Sequence, residues 1–345
     1  MSGRASPVAH WLRGPVTGTL ILAIPLMVVA LLALDAGSLT TTRVVTIFFI
    51  NIVLAVGLQS FIGLSGLVSL GHVAFMAIGA YAAGILVTPM AVKATSIPDA
   101  PAFLVETVIG FAPSLLVAAI VAMVIAVIVG PIMVRLSVAA APIATLSMMI
   151  VVSVLLSNST AITRGDQTFY GIPRNTGILT AATVSILVIF IARCLRDSGI
   201  GLSLRSSRKD ELSARANGVN VFWVRLVAWV LSAGIMAIGG ALYAQQLGAI
   251  SPKLFLYDIT FLVLSMVVLG GRSIAGAVVG VALVSIVVEI LRRVETGISI
   301  AGHDLNGLAN VGLGVIIIAT MLLRSDGIMG SREFDEMLGR RKPRE

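Results

Sequence analysis

Charged side chains and cysteines are both scarce in this chain. Asp, Glu, Lys and Arg make up 12% of the 345 residues, against roughly a quarter in soluble domains, so a soluble globular enzyme is excluded. The single cysteine, Cys194, excludes an internal disulfide framework. Apolar residues make up 58% of the chain, far too many for a disordered polymer.

The motifs of common enzyme classes are also missing. The sequence contains no GxxxxGK[ST] phosphate loop, no HExxH motif, no cluster of Cys and His ligands and no GxSxG turn. We therefore expect no catalytic residues, no metal and no cofactor bound by the chain itself. The net charge of +8 does not indicate nucleic acid as a partner, because basic loops are usual in membrane proteins.

Long apolar runs dominate the sequence instead. With about 20 apolar residues needed for each crossing of a bilayer, the composition allows roughly ten crossings. Such runs lie at about 16–34, 44–62, 66–87, 108–134, 142–157, 177–193, 222–247, 256–271, 274–291 and 305–323. Because a helix satisfies its own backbone polar groups in lipid, the predicted fold is all-α: a polytopic membrane protein with about ten transmembrane helices.

The basic residues predict the orientation of these helices. A cytoplasmic N-terminus places 17 of the 24 Lys and Arg residues inside and 7 outside, so both termini are predicted to be cytoplasmic. The expected organisation is a cytoplasmic segment 1–15, a membrane domain 16–323 with a cytoplasmic loop 194–221, and a cytoplasmic tail 324–345. The first run resembles a signal peptide but lacks a small-x-small cleavage site, so we expect it to be retained.

Glycine-rich interruptions separate some of the runs. The segments 63–72 and 270–273 break apolar stretches and indicate broken or re-entrant helices, which at membrane depth line cavities or are buried in protein. Small residues also allow close helix packing. Candidate pathway or packing residues are Ser65, Gly66, Ser69, Gly71, His72, Gly79, Gly276 and Gly280.

Two ionisable residues, His72 and Glu289, lie within predicted spans. A proton-driven carrier would need several such groups along one path, so proton coupling is disfavoured, and His72 is interpreted as a buried hydrogen-bonding residue. The tetrapeptide Met-Ala-Ile-Gly occurs twice, at 76–79 and 236–239. In so restricted an alphabet this repeat is expected by chance.

The basic loop 197–221 carries the most specific polar pattern. Its charges exclude burial in lipid, yet Leu204, Leu212, Ala214 and Ala216 form a modest apolar face. This pattern predicts a helix over 205–218 that presses against a soluble partner, with Glu211 near its start and Gly218 ending it in a left-handed cap. A solvated basic loop is the alternative.

Several of these segments resemble one family of permeases. The stretch 63–75, Gly-Leu-Ser-Gly-Leu-Val-Ser-Leu-Gly-His-Val-Ala-Phe, followed by Ile-Gly-Ala-Tyr at 78–81, is similar to the SLGHAAFxGIGAY signature. That signature is typical of the membrane subunits of bacterial ABC importers for branched-chain amino acids, the LivM and LivH family. The resemblance runs from about 44 to 330 and is closer to the LivM type.

The cytoplasmic loop also resembles the coupling segment of this family. That segment follows the pattern RAxRxxExxAxAxGI, and its fixed positions are occupied here by Arg205, Arg208, Glu211, Ala214, Ala216 and Gly218. Residues 163–173 are similar to the TGGSDGLxGIP outer loop, except that Arg164 and Thr168 replace glycines. These departures affect the expected solute more than the expected class.

The resemblance implies a permease subunit of the bacterial inner membrane that passes branched-chain amino acids inward. It also implies four kinds of contact: a second permease, two cytoplasmic ATPases that bind the ATP, an extracytoplasmic solute-binding protein and membrane lipid. The alternative solutes are urea, short amides or sugars. The other classes are a stand-alone carrier or channel and an intramembrane enzyme. Both are disfavoured, because the predicted spans lack the polar groups that either would need.

Overall fold

The computed structural model describes residues 7–297, 299–300, 303–304, 311–312, 314–315, 327–330 and 333–334. The helices are α1 (Pro7–Asp35), α2 (Leu39–Ser65), α3 (Val73–Val87), α4 (Met90–Ser96), α5 (Ala102–Glu106), α6 (Phe111–Met133), α7 (Ala140–Asn158), α8 (Thr160–Thr163), α9 (Ile178–Asp197), α10 (Gly199–Lys209), α11 (Glu211–Ala216), α12 (Val221–Leu247), α13 (Tyr257–Gly270) and α14 (Ile274–Gly297), with a 3-10 helix at Pro252–Phe255. The strands are β1 (Phe169–Tyr170), β2 (Ala249–Ile250), β3 (Ser299–Ile300) and β4 (His303–Asp304), paired antiparallel as β1–β2 and β3–β4.

The all-α membrane architecture is confirmed. Within the described residues, eight helices are long and apolar enough to cross a membrane, and the pair α3 and α4, bent by 119° at its break, would make nine if it is one span. These nine correspond to the first nine predicted spans. Most of the tenth, 305–323, lies outside the described residues, as does most of the tail 324–345, so the count of ten and the position of the C-terminus stay predictions.

The predicted third span begins too early. Residues 66–72 are not helical, and α3 begins only at Val73. Gly66 ends α2 because it adopts φ +75°, and its N–H donates to the Ile62 carbonyl at 2.9 Å. Ser65 Oγ then accepts the Leu67 N–H at 3.2 Å. The predicted interruptions at 63–72 and 270–273 are therefore confirmed, although hydropathy alone extends the third span across the first of them.

The centre of the protein is formed by α2, α3 and α12. Helix α12 packs on α2, α3 and α6, and aromatic side chains such as Phe49, Phe75 and Trp229 are fully buried there. Outward-facing apolar residues of α1 and α6, among them Ile24 and Ile128, are exposed. Exposed apolar faces of this kind suit contact with lipid or with another membrane subunit.

Candidate functional site

The predicted coupling loop contains two short helices instead of one. Asp210 is extended (φ −150°, ψ 107°) between α10 and α11, so the prediction of one helix over 205–218 is wrong. Its Oδ1 accepts the Ser213 N–H at 3.0 Å and starts α11 as an N-cap. Ser198 caps α10 in the same way by accepting the Gly201 N–H at 3.2 Å.

The end of α11 has the predicted glycine geometry. Gly218 has φ +83°. Its N–H donates to the Arg215 carbonyl at 3.0 Å, and the Val219 N–H donates to the Ala214 carbonyl at 3.1 Å. This hydrogen-bond pair is a Schellman motif, in which glycine accepts the left-handed conformation at little steric cost.

Charged side chains fix both helices to the membrane domain. Arg208 donates to the Gly63 carbonyl at the end of α2, and Arg205 donates to the Arg196 carbonyl at 3.3 Å. Glu211 bridges Arg215 and, at 2.8 Å, Arg225 of α12. Burial opposes the ionisation of Glu211, but the hydrogen bonds from both arginines outweigh it and hold the pKa of this carboxyl below its ordinary value.

The apolar residues of this loop point in different directions. Leu204 and Ala214 are buried inside the protein, whereas Ala216 is exposed and Leu212 is 80% exposed. The predicted single apolar face is therefore wrong. Two of its members anchor α10 and α11, which leaves Leu212 as the large apolar side chain that α11 presents to solvent.

The segment between α2 and α3 surrounds His72. This side chain is 1% exposed and lies against the rings of Phe61, Phe75 and Trp229. Its Nδ1 lies 2.6 Å from Ser69 Oγ and its Nε2 lies 2.8 Å from Ser232 Oγ. Both ring nitrogens therefore have partners, which is the geometry of a buried structural histidine. A role of Ser65, Ser69 and His72 in the pathway stays a prediction.

The predicted small residues lie where backbones touch. A Cβ on Gly71 would overlap the Thr145 carbonyl of α7, and one on Gly79 would overlap the backbone of Ala237. Gly240 similarly faces the Met76 carbonyl, so the two Met-Ala-Ile-Gly segments lie against each other. Gly276 and Gly280 bring α14 close to the backbone of α13 at Gly270 and Met266.

A buried ion cluster on the cytoplasmic side of the predicted topology was not found by sequence reasoning. Glu333 and Arg193 have side chains with 0% exposure and lie 2.9 Å apart, and Arg196 is 3.2 Å from the same carboxylate. Glu333 also accepts the Ile274 and Ala275 N–H groups at 2.8 and 3.0 Å. It therefore caps α14, where a helix N-terminus favours an anion.

The other predicted polar positions lie towards the opposite face. Glu289 pairs with Arg292 at 2.8 Å and Arg293 at 3.0 Å. Arg164 has φ +67°, and it donates to the Thr168 carbonyl at 2.8 Å while stacking over Tyr170. Arg164 therefore has the left-handed backbone that favours glycine, at a position where the TGGSDGLxGIP pattern that this loop resembles has a glycine.

Comparison with known proteins identifies the family. Residues 40–322 match the family described as the permease component of branched-chain amino acid transport systems. The chain belongs to this family of permease components. Its membership and its apolar helices make it a multi-pass protein of the bacterial inner membrane.

Two relatives match most of this permease, and a third matches a shorter part of it. It is 27% identical to the high-affinity branched-chain amino acid permease protein LivM of Escherichia coli K12, over 88% of the chain and 74% of that protein. It is also 27% identical to LivM of Salmonella typhimurium LT2, over 83% and 69%. A shorter match, 28% identical, joins 45% of the chain to 49% of a probable LivH of Methanocaldococcus jannaschii.

Proposed function

We propose that this chain is the permease subunit of an ATP-driven importer that moves branched-chain amino acids into the cell. The family match over 40–322 supports the permease role, and the printed names of its relatives support the solute. In this proposal the chain has no enzyme site or cofactor of its own. A second permease, two ATPases and an extracytoplasmic binding protein complete the assembly.

The braced helices α10 and α11 are the proposed contact with the ATPase. This proposal depends on the exposure of Leu212, since a side chain that is 80% exposed on an anchored helix is available to a partner. Arg208 joins α10 to Gly63 of α2, and Glu211 joins α11 to Arg225 of α12. In this proposal a movement of α10 and α11 is therefore transmitted to α2 and α12.

The test replaces this leucine. We expect Leu212→Ser to reduce co-purification of the ATPase and to abolish solute-stimulated ATP hydrolysis, because the partner loses its apolar contact. The control is Leu254→Ser, at an exposed leucine that lies on the outer face in the proposed topology. Normal assembly of Leu212→Ser would show that the exposed face of α11 is not the ATPase contact.

The solute is tested separately in proteoliposomes that contain all subunits. We expect ATP-dependent uptake of radiolabelled leucine that unlabelled isoleucine and valine compete for and urea does not. Competition by urea, a short amide or a sugar instead would assign the permease to one of those solutes. Uptake that continues without the ATPase would indicate a stand-alone carrier.

The proposed sidedness follows the predicted organisation, with 1–15 and 324–345 in the cytoplasm. The basic ends of α9 and α10, the start of α14 and residues 327–330 and 333 lie together on one face, as this topology requires. The bounds of the membrane domain, 16–323, and of the loop, 194–221, remain part of the proposal.

A further inference from the structure

An open cleft of about 550 Å³ lies at the cytoplasmic end of α2 in the proposed topology. The C-terminal ends of α2, α10 and α13 meet there. Its lining includes Gln59 of α2, Arg208 and Lys209 of α10, and Arg272 just after α13. We call this space the basic cleft, and its volume is in the range of small-molecule sites.

One side chain of the basic cleft is a buried amide without a partner. Gln59 is 2% exposed, and neither its Nε2 nor its Oε1 has a hydrogen-bond partner within the part of the chain that the structure describes. A buried amide in this state is unfavourable. Gln59 therefore points to a ligand with hydrogen-bonding groups.

The amide and the basic side chains approach the same turn of α2. A Cβ on Gly63 would overlap the amide nitrogen of Gln59, so the two residues are in contact. The carbonyl of Gly63 accepts a hydrogen bond from Arg208, and a Cβ on Gly66 would overlap the aliphatic part of the same arginine. A ligand in the cleft can therefore reach the amide and the guanidinium together.

The positive charge of the basic cleft exceeds what the helix ends balance. Each helix C-terminus carries about half a negative charge, so the three ends together contribute about −1.5. Arg208, Lys209 and Arg272 contribute three positive charges, and none of the described residues that line the cleft is acidic. The excess, about one and a half positive charges, favours an anion.

The donors fit a phosphate group better than a carboxylate. A carboxylate has one charge and two oxygens, and the fork of a single arginine can occupy both oxygens. A phosphate group at neutral pH carries nearly two charges and three strong acceptor oxygens, which suits several cations together with the Gln59 N–H. A singly protonated phosphate also has a hydroxyl that can donate to Gln59 Oε1.

We propose that the basic cleft binds a phosphate group, with Gln59, Arg208, Lys209 and Arg272 as its contacts. The group could come from a soluble phosphate or from the headgroup of phosphatidic acid, because basic pockets between membrane helices on the cytoplasmic side bind lipid phosphates. Ile62 and Val268 supply an apolar wall beside the cations. The inference depends neither on the proposed solute nor on the proposed ATPase contact.

The full chain in phosphatidylcholine nanodiscs tests the site. We expect saturating inorganic phosphate to raise the melting temperature by about 2–4 °C, relative to sodium chloride at equal ionic strength. A parallel sample contains phosphatidic acid in the nanodisc instead. Stabilisation by inorganic phosphate supports a soluble ligand, and stabilisation by phosphatidic acid alone supports a lipid. The proposal is overturned if neither stabilises the protein.

The variant Gln59→Leu separates a ligand site from a structural role. It removes two unpartnered polar atoms, and an apolar side chain of similar size satisfies a buried position better than an unpaired amide does. We expect its melting temperature without phosphate to equal or exceed that of wild type, while the phosphate-induced rise falls below half. A variant that melts below wild type without phosphate, or that keeps the full rise, would overturn the proposal.

The second variant is Lys209→Gln, at an exposed lysine whose replacement leaves the packing intact. We expect it to weaken phosphate binding about fivefold, because one charged hydrogen bond is lost. The matched control is Lys253→Gln, at an exposed lysine that pairs with Asp166 away from the cleft. Affinities are taken from the dependence of the melting temperature on phosphate concentration. Equal affinities of Lys209→Gln and Lys253→Gln would count against the site.

Discussion

Single glycines determine how closely the helices of this permease approach one another. At Gly71 a Cβ would fall on the Thr145 carbonyl oxygen, and at Gly79 on the backbone of Ala237. Backbone atoms cannot move aside as a flexible side chain can. The consequence of adding one methyl group therefore depends on the position.

We expect Gly71→Ala to destabilise the protein by about 1–3 kcal/mol, the usual cost of overpacking. Gly199→Ala is the control, because a Cβ there has no atom within 4 Å and the backbone is helical. The measurement is the apparent melting temperature of each purified variant in the same detergent. Equal temperatures for the two variants would contradict the close contact between residue 71 and α7.

At the level of elements, the sequence predicted the long helices well. The runs 222–247 and 274–291 correspond to Val221–Leu247 and Ile274–Gly297, because hydropathy reports membrane crossing directly. Hydropathy alone continues the third span through 66–72, but the glycines of 63–72 predicted an interruption there, and the structure confirms it. The sequence analysis missed the break at Asp210. In a loop with many charged residues, nothing in the sequence distinguishes an Asp that caps a helix from an Asp that is only solvated.

The candidate site was predicted in parts. Gly66 and Gly218, which the sequence singled out, are both left-handed in the structure. They could be found because a helix end that needs this conformation selects glycine locally, whatever the rest of the fold does. The buried charges of Glu333, Arg193 and Arg196 had no such signal. Their importance depends on residues of distant segments, which one sequence does not place together.

The helix α11 should lose part of its anchor in acid. Because its folded-state pKa is depressed, Glu211 contributes stability that is fully present above its unfolded pKa and is lost as pH falls through the folded value. The loss therefore begins below about pH 4.5, the ordinary pKa of a Glu carboxyl, and α11 should be equally anchored at pH 6 and pH 8.

Hydrogen exchange of the α11 amides measures this effect. The ratio of wild-type protection to that of Glu211→Gln should be constant from pH 6 to 8 and should fall towards one below the ordinary Glu pKa. Asp210, whose pKa is lowered by the Ser213 N–H, titrates in the same acid range. The comparison is therefore repeated with Asp210→Asn in both proteins, and a ratio that rises in acid would contradict the Arg225 pairing.

At the scale of the whole molecule, Glu333 joins segments that are far apart in sequence. Its carboxylate contacts Arg193 and Arg196 at the end of α9 and the first N–H groups of α14. Residues 328 and 329 donate to the carbonyls of Leu269 and Gly270 at 2.9 and 3.1 Å. Helix α1 packs over the same cluster. It comes so close at Gly18 that a Cβ there would overlap the Arg193 guanidinium.

Removing this carboxylate should therefore affect the protein far beyond the tail. We expect Glu333→Ala to cost about 3–5 kcal/mol, because it leaves Arg193 buried without its anion and uncaps α14. The double variant Arg193→Met with Glu333→Leu should lose less than Glu333→Ala alone, since it removes both buried charges together. Asp166→Ala, which breaks the exposed pair with Lys253, is the control and should leave stability unchanged.

The measurement is the melting temperature in detergent together with the rate of proteolysis after residue 326. A Glu333→Ala variant that melts and resists protease like wild type would show that the buried cluster does not hold the tail, α9 and α14 together.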